Sequence, residues 1–96
     1  MIRKVRNVTA SAVLELWDDI IQTTPAAAMT LTVPTAGLRK GKQWEIKDDG
    51  SAATYNITIS GAGSELIDGA SSYVMNINYQ AIRIFPNKLK TAWLVA

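Results

Sequence analysis

The chain contains no cysteine and no histidine. Thiol catalysis, disulfides, an imidazole base, a Ser-His triad and the usual zinc or copper sites are therefore excluded. Polar chemistry would fall to carboxylates, which occur as Asp18-Asp19, Asp48-Asp49 and Glu65 with Asp68. A glycosidase needs two carboxylates facing each other across a bond, one of them kept protonated by its surroundings. Each group here sits beside Gly, Ser or another acid in an apparent turn. Such acids are expected to be solvated, bonding the local backbone. Asp48-Asp49-Gly50 also lacks the oxygen-ligand alternation of a calcium loop. The expectation is a chain without metal or cofactor, and not an enzyme.

Gly61-Ala62-Gly63 follows a strand-like run and raises the question of a phosphate cradle. That chemistry needs a helix opening directly after the glycines, with free N–H groups facing the phosphate. Ser64-Glu65-Leu66-Ile67-Asp68-Gly69 instead reaches another turn within a few residues, so the glycines are read as a positive-φ bend. Among the aromatic residues, Trp44, Tyr55, Phe85 and Trp93 lie in or beside apolar strands and are assigned to the core. Tyr73 and Tyr79 remain as exposed-ring candidates for stacking on sugars or bases. Basic residues form three knots, Arg3/Lys4/Arg6, Arg39/Lys40/Lys42 and Arg83/Lys88/Lys90, each read as a solvated loop or, alternatively, as an interface with an acidic partner. The net charge of +2 is too small to argue for a nucleic-acid partner.

The elements that position these groups follow a period of two. Met29, Leu31 and Val33 alternate with Thr30 and Thr32 until Pro34, and Trp44 and Ile46 alternate with Glu45 and Lys47. Tyr55, Ile57 and Ile59, then Tyr73, Met75 and Ile77, then Ile82 and Ile84 repeat the pattern, and Trp93–Val95 closes it. Val13, Leu16, Trp17, Ile20 and Ile21 fit either a helical stripe or two strands, Val13–Trp17 and Ile20–Thr23, turned at Asp18-Asp19. With 96 residues there is room for one domain, which buries only about 60–65% of the surface of the unfolded chain. Partner subunits would supply the missing burial. No 18-residue apolar run occurs, and Asn7, Thr9, Ser11 and Glu15 break up the stretch after the first basic knot. The expectation is a chain made in the cytoplasm, starting at Met1, with no membrane partner. Turn spacing predicts an all-β sandwich or jelly-roll-like fold of about seven to nine short strands.

Six pieces recur in a telling order. Ala26-Ala27-Ala28-Met29-Thr30-Leu31-Thr32-Val33-Pro34 precedes Trp44-Glu45-Ile46-Lys47-Asp48 and Asn56-Ile57-Thr58-Ile59. Ile67-Asp68-Gly69, Tyr73-Val74-Met75-Asn76-Ile77-Asn78-Tyr79 and Trp93-Leu94-Val95 complete the series. From about Trp17 to Ala96 the chain resembles the small β-domain of tail-fibre, tailspike and head-associated structural proteins of tailed bacteriophages. The resemblance implies an extended chain before the alanine turn, which selects two strands over the helix. It also implies a homo-oligomer, expected to be a trimer, located on the virion. Pro86–Thr91 departs from the pattern, with a bulky basic tip carrying Lys88 and Lys90 where a tight Asp-Gly-like turn is usual. Residues 1–11 lie outside the match and are read as a basic arm ahead of a β-domain at 12–96.

Arg3, Lys4, Arg6, Lys88 and Lys90 are thus the candidate partner-binding residues. The implied role is a capsid decoration (cement) protein on the capsid surface, bound to the major capsid protein or another virion protein. A tail fibre or spike component, or a glycan-binding module for host attachment, is the alternative. Deleting Met1–Arg6 is expected to leave the domain folded and weaken its docking.

Overall fold

The structure, a computed structural model, describes residues 3–96. Period-two alternation with turn-forming breaks yields nine strands: β1 Val5–Val8, β2 Ala12–Val13, β3 Ile20–Thr23, β4 Met29–Val33, β5 Trp44–Asp48, β6 Ile57–Gly61, β7 Ser72–Met75, β8 Ala81–Pro86 and β9 Trp93–Val95. They form a five-stranded sheet in the order β1-β3-β5-β8-β9 and a four-stranded sheet in the order β2-β4-β6-β7. Inward residues of both sheets share one core. Ile21, Trp44, Ile46, Ile84 and Trp93 meet Leu31, Val33, Ile57, Ile59 and Met75, all fully buried. The fold is a small all-β domain of two packed sheets, as the turn spacing predicts.

The path between the sheets was not legible in the sequence. From β1 to β6 the chain alternates between them, and each of β3 to β6 lies parallel to the strand two before it. This is a winding of three successive turns around one core. β7, β8 and β9 then pair antiparallel and close the coil.

Several sequence expectations change. Residues 5–8, read as part of a free arm, are the edge strand β1, paired in parallel with β3. Met1 and Ile2, the first residues of that arm, lie outside the described residues. The strand expected over Val13–Trp17 shortens to β2, and the helical alternative is absent. Its turn spans Glu15–Asp18, where Asp18 N–H donates to the Glu15 carbonyl at 3.0 Å. The reason is that Asp18 turns inward, 2% exposed, to accept Glu15 N–H at 2.9 Å and face Arg6 at 3.5 Å. Leu16 and Trp17 are left in solvent, and Tyr55 also sits on the surface in a turn before β6.

Helix α1, Thr35–Lys40, was not foreseen. Its sequence signals are Pro34 at the start, a run of helix formers, basic residues in the last turn and Gly41 as a left-handed stop at φ 71°. Buried Gly37 and Leu38 cap one end of the core, with Gly37 against the rings of Trp44 and Trp93.

Asp68-Gly69 forms the sharp turn expected of it, with φ of 50° and 78°. Ile67 and Ala70 exchange both backbone hydrogen bonds across it, at 2.7 and 3.0 Å. A side chain at 69 would meet nothing within 4 Å, so only backbone strain opposes one. Gly69→Val is therefore expected to cost about 1–2 kcal/mol, read as a shift of the urea midpoint with an unchanged slope. Gly61 and Gly63, by contrast, do not adopt positive φ. Both approach Glu65 closely: a Cβ at 63 would lie 2.3 Å from its carboxylate oxygen, which would have to move aside, and one at 61 would lie 3.1 Å from its carbonyl.

Candidate partner-docking surface

The acids are occupied inside the fold. Asp48, expected in a solvated turn, is fully buried. Its Oδ2 accepts backbone N–H groups of Gly50, Ser51, Ala52 and Tyr79 at 2.8–3.1 Å, and its Oδ1 accepts the Thr23 hydroxyl at 3.2 Å. Burial works to raise its pKa, but the N–H donors of Tyr79, Ala52 and Gly50 and the Thr23 hydroxyl outweigh it. The carboxyl is held below the usual range. Asp19 is lowered by the Lys4 N–H and the Lys42 ammonium, and Glu65 by the Thr35 hydroxyl, which donates at 2.6 Å. None of these carboxyls is tuned toward neutral pH, as a general acid must be. Among the described residues no three acids cluster as metal ligands.

The first basic knot is used in the same way. Arg3 pairs with Glu45 at 2.7 Å, and Arg6 reaches Asp18 and donates to the Val13 carbonyl at 3.0 Å, tying β1 to β2. The Lys4 backbone N–H donates to Asp19 and its carbonyl accepts from Ile20. Lys42, from the second knot, pairs with Asp19 at 3.1 Å. Of the expected partner-binding residues, Arg3 and Arg6 thus have internal tasks.

Four further cations lie toward one end of the sandwich. Lys88 and Lys90 lie exposed in the β8–β9 turn, and α1 carries Arg39 and Lys40 in its exposed last turn beside β8. The stem of Lys90 runs 3.9 Å from where a Cβ of Gly41 would stand. No ion pair among the described residues uses Arg39, Lys40, Lys88 or Lys90. Between the two lysines Leu89 is 79% exposed, more than any other large apolar side chain among the described residues. The tip is held by Asn87, whose Oδ1 accepts Thr91 N–H at 2.9 Å while its N–H bonds the Ala92 carbonyl at 2.9 Å. An exposed apolar side chain flanked by two cations outside any ion pair, with two more on the neighbouring helix end, fits an acidic surface with a shallow apolar socket. Sequence reasoning found Lys88 and Lys90 but not Arg39 and Lys40, which needed the helix-stop glycine to be read.

Tyr79 is exposed as expected, in a left-handed conformation at φ 64°, with Lys47 Nζ 5.8 Å from its ring centre and donating to its carbonyl. Tyr73 is half-buried and accepts a hydrogen bond from Gln80 at 3.2 Å. Asn78, next to Tyr79, accepts Ala53 N–H at 2.9 Å. A shallow basin of about 660 Å³ on the outer face of the five-stranded sheet is lined by Ile20, Glu45, Lys47, Ala81, Arg83 and Ala96 among others, but its one acidic side chain is the partner of Arg3. No described helix is long and apolar enough to cross a membrane. No family model matches the chain, and no curated protein matches it.

Proposed function

We propose that the chain is a non-enzymatic structural protein of a bacteriophage virion, a capsid decoration protein that works as a homo-oligomer, a trimer. The observation that carries this reading is the order of the six sequence pieces, which fall in turn on β4, β5, β6, the Asp68-Gly69 turn, β7 and β9 of one all-β domain. The absence of cysteine and histidine supports action by surface. The docking end is Arg39, Lys40, Lys88 and Lys90 around Leu89, facing an acidic patch of the major capsid protein or another virion protein.

Antibody labelling of purified particles tests the reading. Many copies on the head are expected; a few copies on tails alone would replace decoration with a fibre role, and none on particles would end the virion reading. Each exposed ion pair is worth about 0–1 kcal/mol, so reversing Lys88 and Lys90 together is expected to weaken docking by about tenfold. Raising the salt should weaken the wild type but hardly affect that variant.

The exposed Tyr79 ring beside Lys47 favours one second reading, a glycan-binding module. A glycan array on the purified chain separates the two: binding abolished by Tyr79→Ala would favour the module.

A further inference from the structure

The two broad faces of the sandwich differ in kind. On the five-stranded sheet the outward positions include Glu45, Lys47 and Arg83. On the four-stranded sheet no residue of β2, β4, β6 or β7 carries a charge. Its outward side chains stand in two ranks set by the register: Val13, Thr32, Ser60 and Ser72 in one, Thr30, Thr58 and Val74 in the other. The valines at the two edges are 51% and 42% exposed, and the hydroxyls between them are mostly half-buried. We infer that this face is the contact between copies of the chain.

A face that meets only water has no need to exclude charge from every strand. In a two-fold contact with a copy of itself, a charge near the axis would meet its like, so a face without charge suits that contact. Hydroxyls suit that contact, since each is both donor and acceptor and can pair with an identical group. The outward ranks hold no aromatic ring, which argues against a sugar platform, and no cation, which argues against an anionic partner. A standard interface takes about 800 Å² from each partner. That is roughly a seventh of the 5345 Å² surface, within the reach of one broad face of a two-sheet domain. Pairing of this face with its own copy makes a two-fold dimer, so the inference rests on the homo-oligomer part of the reading above and not on the trimer, and it does not depend on a virion.

The test is the molar mass of the pure full chain against concentration by sedimentation equilibrium, with circular dichroism to monitor folding. The wild type is expected to self-associate, and Thr58→Asp, at the centre of the face, to weaken that association at least tenfold. Ala81→Asp, outward on the other sheet, should leave it unchanged. Thr30→Lys, at a more exposed place in the same rank, serves if Thr58→Asp fails to fold. A wild type that stays monomeric at every concentration would overturn the inference. So would a folded Thr58→Asp or Thr30→Lys that associates like the wild type, or an Ala81→Asp that alone dissociates. Absence from phage particles would sink the virion reading and leave this result standing.

Discussion

Replacing Asp48 with alanine is expected to cost about 3–5 kcal/mol, the range for breaking a buried, fully engaged charge. The side chain closes β5 by collecting N–H groups from two separate loops, Gly50–Ala52 and Tyr79, and one hydroxyl from β3. Its loss strands four backbone donors together, near a residue held at positive φ. Urea denaturation followed by tryptophan fluorescence measures the cost, and a change below about 1 kcal/mol would show that the loops re-pair with water. The same carboxylate makes stability depend on acid. Its folded pKa lies below its ordinary value of 3.8, so its contribution is complete above that value. It is lost as pH falls through the lower folded value. Asp48→Asn should therefore flatten the acid loss, leaving the share due to Asp19 and Glu65, which shift in the same direction.

The second large effect is at the Trp44–Trp93 pair, whose ring centres lie 5.6 Å apart under α1. Trp44→Ala is expected to cost about 3–5 kcal/mol through the cavity it opens, a large share of the roughly 5–15 kcal/mol total of a domain this size. The helix above leaves no slack. A Cβ at Gly37 would stand 2.5 Å from the Trp44 ring, so Gly37→Ala should destabilise by about 1–3 kcal/mol, although alanine is the better helix former. Pairing Gly37→Ala with Trp44→Phe should recover part of that loss, and strict additivity of the two would refute the clash. The two indoles also differ: Trp44 Nε1 donates to the Glu15 carbonyl at 3.0 Å, whereas buried Trp93 Nε1 finds no acceptor among the described residues. Trp93→Phe should consequently cost less than Trp44→Phe.

These residues mark what could be read from the chain alone. Apolar alternation around Thr30, Glu45 and Thr58 located β4, β5 and β6, because a sheet with one buried face imposes a period of two on neighbouring residues. Asp68-Gly69 announced its turn, since few residue pairs tolerate two successive positive φ angles. The lack of cysteine and histidine closed off whole classes of chemistry without reference to a fold.

Nothing local, however, distinguishes an acid in a turn from an acid beneath one. Asp48 is buried because Tyr79, 31 residues away, brings its N–H to the same oxygen. Arg3 and Arg6 look like a free arm until Glu45 and Asp18 arrive from other parts of the chain. The parallel winding of β1 to β6 is set by which strands share a core, and alternation is the same in parallel and antiparallel sheets. For the same reason, only the register gathers uncharged residues from four separate strands into one face and cations from a helix and a hairpin at one end. Composition and period determined that this is a β-domain; the long-range pairing decided which surfaces it has, because charge, hydrogen-bond partner and exposure belong to positions in space rather than to neighbours in sequence.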